Sequence, residues 1–315
     1  MDVSSATNTR TFICTFFEDE PCGNKIPILR TRSAVVLAAV GNSFASDFQF
    51  RSRLGGLTLN FFIVEEAVLP SRSAHVDILD RCALSLAAPS TRFAIPWTSQ
   101  EGLPRDRSWR SLWAITPHER LRVRCIVDAV VAHLYGLTAE DFTWVLRGCD
   151  HPLDCKRDNA FTRSLDPKGF WRVDKGQPPE LRHTVLAQVA LHDLQAMGLE
   201  AFLAQNNGEG CMLPETLRLS DYGLGHDDRA HTPVPVSPVL GPRFLPWQLN
   251  EDVAQSWEEC RRHAENIRAI RSRFAPEPAG EAQTAGRGLP ALPDSGAGSA
   301  LNLVGNGEIM TGQNP

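Results

Sequence analysis

A chain of 315 residues with 42% apolar and 22% charged residues has the make-up of a globular protein and the length for one large domain or two ordinary ones. A net charge of −5 excludes nucleic-acid binding by a generally basic surface but leaves room for a local basic face, and arginine, the better partner for phosphate and guanine, greatly outnumbers lysine. No apolar run reaches the length of a membrane span, the polar start with Asp2 offers no signal peptide, and eight cysteines without a CxxC pair point to buried thiols in a cytoplasmic chain with no membrane partner.

In chain order, residues 10–17 are rich in β-branched and aromatic side chains and are predicted as a strand, followed by a turn over 18–25 and a second short strand over 26–29. Ser33 is placed to cap a helix over 34–50, whose core face is Leu37, Val40, Phe44 and Phe48, with Gly41 allowing close packing. Gly55-Gly56 then forms a turn, and Leu57, Leu59 and Phe61 alternate with Thr58, Asn60 and Phe62 as in a half-buried strand that ends at Pro70. A helix over 75–86 follows. Between Pro89 and Pro117, arginines at 92, 105, 107 and 110 are interleaved with Trp97, Trp109 and Trp113. That pattern suits either base stacking with phosphate contact or tryptophans packed on a core with arginines snorkelling past them.

The second half reads as helical. Val123, Ile126, Val127, Val130, Val131 and Leu134 mark a helix over 121–135 closed by Gly136, and Thr138 with Asp141 forms a capping pair for the next one. Asp128 and His133 on this pair are read as surface or cap partners, since no third group is placed to orient them for catalysis. Residues 148–179 are loop-rich, 180–205 a long helix, 206–246 irregular, and 251–274 an amphipathic helix. The tail from 275 is dominated by small and polar residues and is expected to be disordered. Cys149, His151 and Cys155 lack an evident fourth metal ligand, and His226-Asp227-Asp228-Arg229 is read as a solvated loop, so no metal site is assigned.

The order of these segments resembles the target-recognition region of type IIG restriction–modification enzymes and the related adenine-specific DNA methyltransferases of phage-defence systems. The resemblance is carried by Thr7–Ile13, Ala45–Phe48, Gly55-Gly56, Asn60–Val64, Leu134–Thr138, Pro167–Asp174 and Leu213–Arg218 on to Arg229, and reaches roughly to Arg262. It implies an α+β fold: a mixed strand–helix recognition subdomain over 1–117, a mainly helical region over 118–274 and the tail over 275–315. It also implies double-stranded DNA as partner, with Arg51 and Arg53 on phosphates or a guanine edge, Gly55 and Gly56 admitting the backbone (or only turning it), and Thr58 and Asn60 near the bases (or Asn60 facing solvent).

The parent family's chemistry needs a glycine turn for S-adenosylmethionine and an Asn/Asp-Pro-Pro-aromatic tetrapeptide that holds a flipped adenine. Neither is in this sequence. Pro178-Pro179 follows Gln177, the glycine pairs at 208/210 and 286/288 do not follow a strand, and Asp166, Asp174 and Lys175 do not complete a nuclease motif. The expectation is a DNA-specificity module with no catalytic residues and no cofactor of its own, either a separately encoded subunit or a truncated frame. The rival expectation is an interaction piece that docks on a separate methyltransferase subunit, or an inactive remnant.

Overall fold

The computed structural model describes residues 4, 8–17, 28–54, 58–70, 76–147, 169–174, 176–217, 222 and 235–274. Within them the regular elements are all helical: α1 (Ala34–Gly41), α2 (Phe44–Arg53), α3 (Phe61–Glu65), α4 (Val76–Ala87), α5 (Ala94–Ser99), α6 (Pro117–Leu134), α7 (Ala139–Arg147), α8 (Trp171–Asp174), α9 (His183–Met197), α10 (Leu199–Gly208), α11 (Val236–Leu240), α12 (Pro246–Leu249) and α13 (Val253–Phe274), with three short 3₁₀ turns. The described residues contain no strand, so the expected α+β architecture is corrected to an all-α one.

Helix α6 is the axis of the fold. Thr116 Oγ1 accepts from Glu119 N (3.2 Å), Pro117 occupies the first helical position, and Gly136 at φ +71° closes the far end. Residues 125–132 are buried without interruption, because α9 packs along one flank while α4 and α2 cover others. Phe44 of α2 meets Phe142 of α7 and Phe170 edge-on, at 6.5 and 4.8 Å between ring centres. At the opposite side α13 lies on α5, with Trp257, Cys260 and Ala264 buried.

Two expected long helices are each divided. The one over 34–50 breaks at Asn42-Ser43, where Ser43 Oγ caps Ser46 N (3.2 Å) and Asp128 of α6 caps Phe44 N (2.6 Å). The one over 180–205 breaks at Gly198, whose φ of +84° an L-residue rarely adopts. The Thr138–Asp141 capping pair forms as its spacing predicts, with Asp141 N donating to Thr138 Oγ1 (3.1 Å) and Thr138 N to Asp141 Oδ2 (2.9 Å).

The strand predicted over 10–17 is instead an extended segment clamped by side chains. Thr11 N and Phe12 N donate to the Asp47 carboxylate (2.8 and 2.6 Å), and Asn42 exchanges hydrogen bonds with Cys14, from Cys14 N to Oδ1 (3.3 Å) and from Nδ2 to Cys14 O (2.7 Å). Backbone groups taken out of water must be satisfied somewhere, and on the buried side of this segment the side chains of Asp47 and Asn42 take the place of a ladder. Gly41 allows this approach: a Cβ there would stand 2.7 Å from Cys14 Sγ. Ile28 and Leu29 of the second expected strand are irregular and exposed, and residues 26 and 27 lie outside the described residues.

The strand predicted from Leu57 onward is also overturned. Leu57 lies outside the described residues, Asn60 has the extended backbone of a helix-capping position, and the chain coils into α3 from Phe61. Ile63 turns into the core while Phe62 stays exposed. A short apolar run fits a helical turn as well as a strand, and no strand among the described residues offers an edge to pair with.

Candidate nucleic-acid interface

The six residues expected to meet DNA do not share one environment. Arg51, in the last turn of α2, is buried at 2% exposure. Its guanidinium lies 3.4 Å from Asp47 and donates to Asn8 O (2.6 Å) and Thr11 Oγ1 (3.3 Å). It also stacks 3.7 Å above the Phe170 ring. Arg53, two positions on, is exposed, as are Thr58 and Asn60. Gly55 and Gly56 lie outside the described residues. The two arginines therefore part ways: one is a core element, the other is on the surface.

Arg51 belongs to a buried charge network. Arg10 sits 3.9 Å over Phe44, donates to Asn42 O (2.9 Å), and lies 3.8 Å from Asp128. Asp128 caps α2 and lies 2.8 Å from His183 Nε2 at the start of α9. Burial pushes the Arg51 guanidinium down to about 10 against the pull of Asp47, lowers Arg10 and His183, and raises the Asp47 carboxyl despite its backbone donors. A His–Asp pair of this kind can orient a proton acceptor, but here it joins α2, α6 and α9 inside the core. The network joins residues from Arg10 to His183, so no local motif announces it. One signal was available: Asp128 is a charge in the middle of an apolar helical run.

The other chemical candidates resolve similarly. Asp174 caps α9, accepting from Thr184 N and Oγ1 at 3.0 Å each. Asp166, Lys175, the Cys149/His151/Cys155 cluster and the His226-Asp227-Asp228-Arg229 loop lie outside the described residues. Of the two readings for 89–117, the structure shows the packed one. Trp97 and Trp109 are fully buried, Trp113 is buried against Trp109, and Arg110 pairs with Glu251 and Glu259. Arg105 stacks 3.8 Å over Trp257.

An exposed basic element comes from elsewhere. The first half of α13 is held in the core through Ser256, Trp257, Cys260 and Ala264. Its last third runs out of the core with Arg268, Ile270 and Arg273 exposed and Arg271 half-buried, and Glu265 is its last acid. Arg261 and Arg262 precede them on the exposed surface, Arg261 paired with Glu258. Cations in a last turn complement the helix dipole, so the favourable field for a polyanion here comes from guanidinium groups and not from the helix end. No known family, no curated protein and no solved structure matches this chain.

Proposed function

We propose that this chain is a DNA-recognition module of the kind found in restriction–modification and phage-defence adenine methyltransferases, with the methyl-transfer chemistry and S-adenosylmethionine supplied by another polypeptide. The observation that carries this reading is the protruding end of α13, where Arg268, Arg271 and Arg273 follow one another without an intervening acid. A rigid helix anchored in a core at one end and basic at the other positions guanidinium groups for phosphates and for the edges of bases. Exposed Arg53, Thr58 and Asn60 are second contacts on the same reading.

Salt dependence tests it. Replacing Arg268 and Arg273 with alanine leaves the packed half of α13 untouched. The variant should melt like the wild type, bind duplex DNA more weakly, and lose roughly 2 units of slope in log affinity against log salt. An unchanged slope in a normally folded variant would remove α13 as the interface.

A docking role on a separate methyltransferase subunit is favoured by a different observation. Val239 on α11 and Trp247 and Leu249 on α12 are exposed apolar side chains. Association through such side chains would persist as salt rises, where DNA binding would weaken.

A further inference from the structure

A second arginine cluster lies on the other face of α6, away from the network around Asp47. Glu119 binds Arg122 through both carboxylate oxygens (2.6 and 2.8 Å) and also accepts from Arg243 Nε (2.6 Å). Glu209 uses one oxygen for Arg107 and the other for Arg243. Both acids are thus fully engaged by three arginines. Arg81 of α4 enters the same cleft and makes one hydrogen bond, to Gly208 O (2.5 Å), with no carboxylate within ion-pair distance among the described residues. The cluster carries four guanidiniums against two carboxylates. Burial lowers the Arg81 guanidinium, and the neighbouring Arg122 and Arg107 add to this.

The backbone bordering the cleft is strained. Asn206 and Asn207 are the non-glycine residues with positive φ among the described residues, at +53° and +58°, and Gly208 and Gly210 follow at +79° and +81°. Asn207 lines the cleft, and Arg122 donates to Glu209 O (2.9 Å) and Cys211 O (3.1 Å), holding the turn in place. Such strain persists where the surroundings impose it and gathers at ligand-binding positions. The cleft is partly open to solvent and holds about 30 Å³ of internal space, room for one or two oxygens of a tetrahedral anion whose remaining oxygens stay at the mouth.

We propose that this cleft binds a phosphate-type oxyanion, with the forked donors of Arg81 and Arg107 and the Ser85 hydroxyl, one turn after Arg81 on α4, as its polar contacts. The anion neutralises the unmatched guanidinium and fills a place that no side chain of the described chain fills. This assignment stands apart from the role of α13 and survives its failure.

The test uses the full chain and inorganic phosphate. Phosphate should raise the melting temperature beyond sodium chloride at matched ionic strength, and the response should be lost in Arg81→Met and Arg81→Gln. A wild-type melting temperature that follows ionic strength alone overturns the site without reference to any variant. So does a cooperatively folded Arg81 variant that keeps the whole response. A short DNA duplex then separates the sources of the ligand: competition with phosphate assigns the group to a nucleic-acid backbone, and its absence to free phosphate or a phosphomonoester.

Discussion

Arg51 and Arg53 differ by two positions and by almost everything else. On α2 they point to different sides: Arg51 is sealed between Asp47, Asn8, Thr11 and Phe170, while Arg53 faces outward. Removing one partner of a buried ion pair leaves the other charge without compensation and costs about 3–5 kcal/mol. Arg51→Ala should therefore lower the denaturant midpoint substantially, whereas Arg53→Ala should leave it unchanged. DNA affinity measured on the folded fraction of Arg51→Ala should equal that of the wild type; a selective loss of affinity at full stability would place Arg51 on the surface after all. Sequence spacing separates the two arginines, since residues two apart on a helix cannot share a face, but it does not say which of them is buried. It shows that two arginines end a helix but not that an aspartate four residues earlier draws one of them inward.

At the scale of elements, the long helical periodicities were legible and their interruptions less so. The apolar pattern of 121–135, the capping pair at Thr138 and Asp141, and the amphipathic run over 251–274 all appear as helices. Gly198 gives little warning, because an isolated glycine inside a helical pattern is tolerated. Its backbone, at φ +84° and ψ +154°, lies in a region that is essentially glycine's alone. An added Cβ there would meet no atom within 4 Å, so Gly198→Ala tests backbone strain without a clash. The expected cost is roughly 1–3 kcal/mol, read as a shift of the denaturant midpoint with an unchanged slope. An unaltered midpoint would mean that α9 and α10 join through a less demanding turn. The strands that were expected and are not formed have the opposite origin. Residues 10–17 have strand composition, but their hydrogen-bond partners are the side chains of Asp47 and Asn42, which are remote in sequence and invisible to any local pattern.

For the whole molecule, buried charge should shape stability against pH. Burial alone would raise the Glu119 carboxyl, but the hydrogen bonds and charges of Arg122 and Arg243 outweigh it and hold the group below its ordinary value of 4.5. A carboxyl depressed on folding contributes stability that is present above its unfolded value and lost as pH falls through that value toward the folded one. Asp47 works in the other direction: burial raises it, so its ionised form weakens the fold above its ordinary value of 3.8, and protonation relieves that cost as pH falls. Asp80, raised to about 6 by burial and by Asp77, adds to the relief at a higher pH. The two kinds of group separate by mutation. Glu119→Gln should be markedly less stable than the wild type at pH 7, and the gap should narrow steadily below about pH 4.5 as the wild-type carboxylate is protonated. Asp47→Asn should show the converse pH trend, with its stability relative to the wild type falling as the medium is acidified. Urea melts of the three proteins between pH 3 and pH 7 measure both trends. A constant gap for Glu119→Gln across that range would mean that its value to the fold lies in shape and not in charge, and that the three arginines it helps to hold together do not need it ionised.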